Sequence, residues 1–425
     1  MCRKLNQLKR PNFKYMKGIY FDHSATTPLD ERVLAKMSPY FSDVFGNPSS
    51  IHSFGQRAAA AVDQARSQVA DFLACQREEI VFTAGATEAN NLAIKGLVKG
   101  LTLRNIVKPH IITTVIEHDA VLEPCQELER DNLATVTYLP VKANGILDIS
   151  ELEKAITEQT VLVSVMYANS EVGSLQPVRE IGKLIKKINE KKMADWEKQR
   201  VAQRGDKPQL IYFHTDATQA VNFFNCSLEY LHADMLSLSA HKIYGPKGVG
   251  VLAAKKGTPL TALIRGGHHE KNLRSGTLNV PGIVGLGAAI ELVKQEQEIN
   301  NQNIKELRDY LVERIKQEIP EVVSNTDFAN ATPAHAHFSF LGAEGESILL
   351  ALDMAAGIAV STGSACASNT LKASRVLTAM GVKVEDTHGA IRFTLGKENT
   401  KADVDELMKH LPGIVKKFRD MAPAY

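Results

Sequence analysis

Three residues in this chain combine reactive chemistry with surroundings suited to covalent work on a small molecule: Lys242, Asp216 and Cys366. Lys242 closes the run Ser237-Leu238-Ser239-Ala240-His241-Lys242, and Gly245 and Gly248 follow, so an apolar strand delivers a primary amine into a tight connection. Partial desolvation there disfavours the ammonium and frees the amine to attack a carbonyl, the Schiff-base role that lysine fills with pyridoxal phosphate. The plainer alternative is a solvated loop lysine. Asp216 follows the strand-like run Leu210-Ile211-Tyr212-Phe213-His214, at the carboxyl edge where parallel sheets bind ligands. A pyridine ring draws electrons only while its nitrogen is protonated, and a carboxylate against that nitrogen contributes roughly 4 kcal/mol at an effective dielectric of about 20. Gln219, on the same side of a first helical turn, is placed to hydrogen-bond the ring's phenolic oxygen. Cys366 stands among Ser361-Thr362-Gly363-Ser364-Ala365 and Ala367-Ser368-Asn369-Thr370, small and polar residues that pack no rigid core, so its thiol is expected on a mobile loop.

The elements that must position these groups read as alternating strands and helices. Strands are expected at 233–238 and 248–252 on either side of Lys242, and at 79–83, 110–115, 135–139 and 161–166. After 79–83 come Gly85-Ala86-Thr87-Glu88 and a helical pattern over 89–94; the unpaired amides at Ala86 and the hydroxyl of Thr87 make that helix start a phosphate site. A short strand at 18–21 precedes a turn at 22–28, with a helix expected through Tyr40, a long amphipathic helix at 53–73, and helical spacing of Ile181, Leu184, Ile185 and Ile188. The polar stretch 193–209 is expected as a surface excursion. From 284 to 319 the pattern is helical, and segments 337–340, 344–352, 391–395 and 401–418 again alternate. This order implies an α/β protein. A large domain is expected over 20–279, and a smaller one over 280–425 with the arm 1–19.

Composition sets the class of partner. The chain has 425 residues, 44% of them hydrophobic, with a net charge of +2 and intermixed signs, so neither nucleic acid nor a membrane surface is an expected partner. No stretch is long and apolar enough for a bilayer span, and no secretory pattern opens the chain. Five cysteines without a CxxC pair fit a reducing compartment, so a cytoplasmic location is expected. Neither His268-His269 nor His335 with His337 has enough companions for a metal centre.

Asp216-Ala217-Thr218-Gln219 followed by Ser237 to Lys242 resembles the cofactor core of cysteine desulfurases in the class V aminotransferase group. The likeness extends, in the family's order, to Asp22-His23-Ser24-Ala25-Thr26-Thr27-Pro28, Gly46-Asn47-Pro48-Ser49-Ser50-Ile51-His52, Gly85-Ala86-Thr87-Glu88-Ala89-Asn90-Asn91, Arg274-Ser275-Gly276-Thr277 and Ser361-Thr362-Gly363-Ser364-Ala365-Cys366. It implies the type I fold of pyridoxal phosphate enzymes, a large domain with a mostly parallel mixed sheet flanked by helices and a smaller α+β domain. It also implies that His118 stacks on the cofactor ring and shuttles a proton, that Ser239 and His241 are further phosphate ligands, and that Asn169 contacts both ring oxygen and substrate carboxylate. Arg392 matches the arginine that clamps that carboxylate, and Thr277 the threonine that reaches the phosphate of a neighbouring subunit, which implies a homodimer. On this resemblance L-cysteine becomes alanine, with sulfur held as a persulfide on Cys366. The sulfur then passes to an acceptor such as an iron-sulfur scaffold, for cluster assembly or transfer-RNA thiolation. The chain departs from the family at His23, Ser24, Ser170 and His337, and no role is assigned to them. A selenocysteine lyase or another lyase or transaminase on this fold would share every cofactor residue, and a non-catalytic protein would have no need of Lys242 and Cys366.

Overall fold

Runs of β-branched and apolar residues, cut by glycine and polar turns, form the strands of the computed structural model, which describes residues 18–200, 207–362 and 373–421. In chain order these are β1 (Ile19–Tyr20), β2 (Ile80–Thr83), β3 (His110–Thr114), β4 (Thr135–Leu139), β5 (Thr160–Ser164), β6 (Tyr212–Asp216), β7 (Met235–Ser239), β8 (Gly250–Ala254), β9 (Val322–Ser324), β10 (His335–Phe340), β11 (Ile358–Ala359) and β12 (Ala390–Thr394).

The main sheet has seven strands in the order β2-β8-β7-β6-β5-β3-β4. β8 runs antiparallel to both its neighbours, and the pairs from β7 to β4 are parallel. Crossover helices cover both faces of such a sheet, which is why β5 and β7 are buried along their whole length rather than on alternate residues. On one face, helix Ser53–Leu73 and the first half of helix Val280–Glu318 pack with Ile80, Phe82, Val163, Phe213 and Leu238. On the other, the helical run from Ala86 and helix Asp119–Arg130 pack with Val81, Ile111, Leu162 and Leu252.

A second core forms around the antiparallel sheet β12-β10-β9. Helices Gly345–Ala356 and Lys401–Met421 join it, as does the second half of Val280–Glu318 through Ile304, Leu311 and Ile315. Phe21 belongs to this core too, because β1 pairs with β11 rather than with the main sheet. The 39-residue helix therefore begins in one core and ends in the other.

Three helices differ from the sequence reading, each for a local reason. The long helix starts at Val280, not 284: Asn279 caps it by accepting from the Gly282 amide, and Pro281, which looks like a breaker, is well suited to a first turn. The helix expected through Tyr40 ends at Met37, and Pro39 starts a fresh turn. The first part of the 193–209 stretch continues helix Val178–Arg200, since no glycine or proline stands between Gly182 and Gly205 and pairs such as Lys186 with Glu190 lie one turn apart. Among the described residues no helix is long and apolar enough to cross a membrane.

Candidate active site

β7 ends at Ser239, and a single tight helical turn, Ala240–Lys242, carries the lysine off the sheet edge. Two features hold that turn: Tyr244 takes a left-handed backbone with φ of 62°, and a Cβ on Gly245 would stand 2.8 Å from the Ala240 carbonyl. The segment after β1 closes over it, with the Thr27 amide donating to the His241 carbonyl at 2.9 Å and the Tyr244 amide to Thr27 Oγ1 at 2.7 Å. Lys242 Nζ donates to the Ser24 carbonyl and, at 2.7 Å, to the Ala25 carbonyl. Gln219 Nε2 donates to the same Ser24 carbonyl at 3.0 Å, so the two residues meet on one main-chain oxygen.

Asp216 is the last residue of β6, one strand over. Its Oδ2 accepts from Asn90 Nδ2 at 2.7 Å and its Oδ1 from the Thr218 amide at 3.0 Å, contacts that hold a carboxylate and aim it. Asn90 is fully buried, and its Oδ1 has no hydrogen-bond partner. The sequence reading assigned it no function, although it stands in the Gly85 to Asn91 segment.

The turn after β2 lies against β8 because residue 250 is glycine: a Cβ there would come within 2.7 Å of Gly85 Cα and of the Leu238 carbonyl. That approach brings the helix start at Ala86 and Thr87 beside Ser239, whose Oγ is 3.8 Å from a Cβ built on Gly85. His241, two residues beyond Ser239, lies against the 22–27 segment, with Nδ1 3.1 Å from Thr26 Oγ1. Burial and the charges of Lys242 and Lys247 push its imidazole down to about 4, so it is neutral near pH 7 and keeps one N–H to donate. Gly250→Ala is expected to cost about 1–3 kcal/mol of stability by forcing β8 off this turn. A lower urea midpoint and cofactor lost on dialysis are the observations that check it.

His118 follows β3 and caps helix Asp119–Arg130, its Nδ1 accepting from the Ala120 amide at 3.0 Å. Beside it Glu117 is fully buried and accepts from Thr114 Oγ1 and from the Met166 amide. Burial raises its carboxyl from 4.5 to about 8, outweighing those hydrogen bonds, so the folded state holds a proton that the unfolded state releases. This contribution is complete below about pH 4.5 and is lost as pH rises through about 8. Over that window the urea midpoint of the parent is expected to fall more steeply than that of Glu117→Gln.

Asn169 is buried after β5; its Oδ1 accepts from the Glu171 and Val172 amides, and its Nδ2 donates to the Ile116 carbonyl at 3.1 Å. It therefore ties the turn after β5 to the turn after β3. Arg392, on β12 and 5% exposed, reaches the same place from the second core: Nη1 donates to the Ser170 carbonyl at 2.9 Å and Nη2 to Asp22 Oδ1 at 2.6 Å. Thr277 is exposed, on a segment tethered to the Ala86–Asn91 helix by an Arg274 to Glu88 ion pair at 3.0 Å.

Cys366 and the loop expected around it lie outside the described residues. The residues that flank them lie at this site. Ser361 exchanges main-chain hydrogen bonds with Arg392, Ser374 Oγ donates to Glu171 Oε2 at 2.6 Å, and Arg375 donates to the Glu117 carbonyl and pairs with Asp119 at 2.9 Å. Ser24, Asn90, Glu117 and Glu171 are site residues to which sequence reasoning gave no role; Ser24 and Asn90 stood in segments that carry the family resemblance, while Glu117 and Glu171 had no signal of their own.

Together the arrangement offers an amine, an aimed carboxylate, an amide-rich helix start with Ser239 beside it, and a buried arginine. A Cβ built on Gly85 would meet only Ser239 Oγ, so the helix start after it has room for a phosphate, and Asp216 with Asn90 suits a protonated ring nitrogen; the residues present fit pyridoxal phosphate.

Comparison with known proteins agrees. The aminotransferase class-V family model matches residues 19–199 and 197–407. The chain is 44% identical over 407 residues to the cysteine desulfurase IscS of Dictyoglomus turgidum, covering 96% of this chain and 97% of that protein. It is 42% identical over 428 residues to the protein of the same name from Rickettsia massiliae, covering 100% of this chain and 96% of the other. Among solved structures, a NifS-like protein superposes with a TM-score of 0.83 at 37% identity, over 94% of this chain and 100% of that one. With this geometry and these relatives, the chain belongs to the class-V aminotransferase family, among its cysteine desulfurases, and its cofactor is pyridoxal phosphate.

Proposed function

We propose that this enzyme takes the sulfur from L-cysteine, releases alanine, and holds the sulfur as a persulfide on Cys366 for delivery to an acceptor protein. What carries the reading is the meeting of Lys242, Asp216, the Ala86 helix start and Arg392 at one sheet edge, with both flanks of the Cys366 segment fastened there. Lys242, Ala86, Thr87, Ser239, His241, Asp216, Gln219, Asn169 and His118 would hold the cofactor. When bound, pyridoxal phosphate supplies an aldehyde for the substrate amine and an electron sink for the α-carbon.

The chain's own residues do the rest. Arg392 takes the substrate carboxylate with a planar guanidinium suited to two-point contact. Asp216 keeps a proton at the ring nitrogen. Lys242 moves the proton at the substrate α-carbon, and His118, half of whose ring is committed to the helix cap, serves as a second proton carrier. The Cys366 thiolate bonds to the substrate sulfur as the carbon–sulfur bond breaks; the electron pair stays on carbon, which takes a proton and leaves as alanine.

The enzyme works as a cytoplasmic homodimer, with Thr277 facing the other subunit's phosphate, and its two domains are 20–279 and 280–425 with arm 1–19. Cys75, Cys125 and Cys226 are free thiols, which agrees with a reducing compartment. The acceptor is an iron-sulfur scaffold or a transfer-RNA thiolation protein. Mass analysis after brief exposure to L-cysteine tests the reading: one added sulfur on the Cys366 peptide, removed by dithiothreitol, supports it. Alanine formed with no sulfur on that peptide overturns it.

A further inference from the structure

Arg392, read above as the substrate's carboxylate clamp, already holds a carboxylate. Its Nη2 meets Asp22 Oδ1 at 2.6 Å, with the two side chains only 6% and 19% exposed. Its Nη1 is taken by the Ser170 carbonyl, and its buried Nε has no hydrogen-bond partner. An incoming carboxylate seeking two-point contact therefore finds one of the two terminal nitrogens occupied by an anion of its own kind.

Asp22 also opens the turn that holds the lysine. The Ala25 amide donates to the Asp22 carbonyl at 3.0 Å, and the Ser24 and Ala25 carbonyls accept from Lys242 Nζ. Ser24 Oγ donates at 2.7 Å to the same Ser170 carbonyl that Arg392 uses. Four residues thus touch the carboxylate clamp at one end and the reactive amine at the other.

We propose that Asp22 is an internal tenant of Arg392, displaced by the substrate carboxylate. It rests on the reading of Arg392 as the carboxylate site. Asp22 acts through Arg392, so it is a positioning residue that tempers the preference for carboxylate-bearing amines.

The test is equilibrium binding to the cofactor-loaded enzyme, with L-alanine and L-alaninamide as probes. The parent is expected to prefer L-alanine, and Asp22→Asn to bind L-alanine about fivefold tighter with L-alaninamide unchanged. The gain is expected to persist at high salt, where a change in diffuse charge would be screened. If the parent does not prefer L-alanine, the Arg392 reading falls and this proposal with it. If the parent prefers L-alanine but Asp22→Asn binds it equally or more weakly, Arg392 keeps its role and the tenancy alone is overturned. Should Asp22→Asn fail to fold, Asp22→Ser removes the same charge and carries the same expectations.

Discussion

Lys242→Ala is expected to reduce alanine formation from L-cysteine by at least about 10⁴-fold, the largest effect of any single substitution in this protein. The lysine has two duties, anchoring the cofactor aldehyde and moving a proton at the substrate α-carbon, and the second is by itself worth roughly 10²–10⁴-fold. The fold is expected to survive. Of the two carbonyls that accept from Lys242, Ser24 keeps Gln219 as a donor and Ala25 lies at an exposed position of the turn. Melting temperature, alanine yield and rescue by added methylamine are the measurements. An added amine that fits the space of the lost side chain restores part of the proton transfer, whereas a merely structural lesion gains nothing. Unchanged alanine yield in Lys242→Ala would remove the lysine from the chemistry altogether.

Cys366→Ala ranks second, with alanine formation under reducing conditions expected to fall by at least about 10²-fold while the cofactor remains bound as in the parent. The separation follows from where the groups reside. Every described contact that fits the cofactor comes from the turns after β2, β3, β5, β6 and β7, together with the 22–27 segment. Removing the thiol therefore takes away the attack on the substrate sulfur and leaves the amine, the carboxylate and the phosphate cradle in place. Equal alanine yields from parent and variant would keep the cofactor site but end the role of Cys366, and the selenocysteine lyase reading would take its place.

The reactive types and most of the strands were legible because their causes are local. An apolar run followed by glycines is both the strand β7 and the signal for Lys242, and the run before Asp216 is β6, displaced by two residues from where its apolar start suggested. The glycine turn at 85 marked a phosphate site for the same reason: the signal and the backbone geometry lie within a few residues of each other. Helix ends were less legible, since Pro281 inside a first turn and Pro39 after a last one look alike without the capping contacts of Asn279 and Ser38.

What the sequence by itself determined is therefore the inventory: an amine at a strand end, a carboxylate at another, a thiol among small residues, and the α/β order that brings strand ends to one edge. Only the tertiary structure decided which of them meet and through what. Asn90 and Asp216 join across 126 residues of chain, Asp22 and Arg392 across 370, and Lys242 and Gln219 meet on the carbonyl of Ser24, 218 and 195 residues away from them. A main-chain carbonyl has the same chemistry whatever side chain it bears, so no residue type could announce that Ser24 would be the meeting point. Such contacts exist only once β1 has paired with β11 and carried the 22–27 segment across the edge of the main sheet.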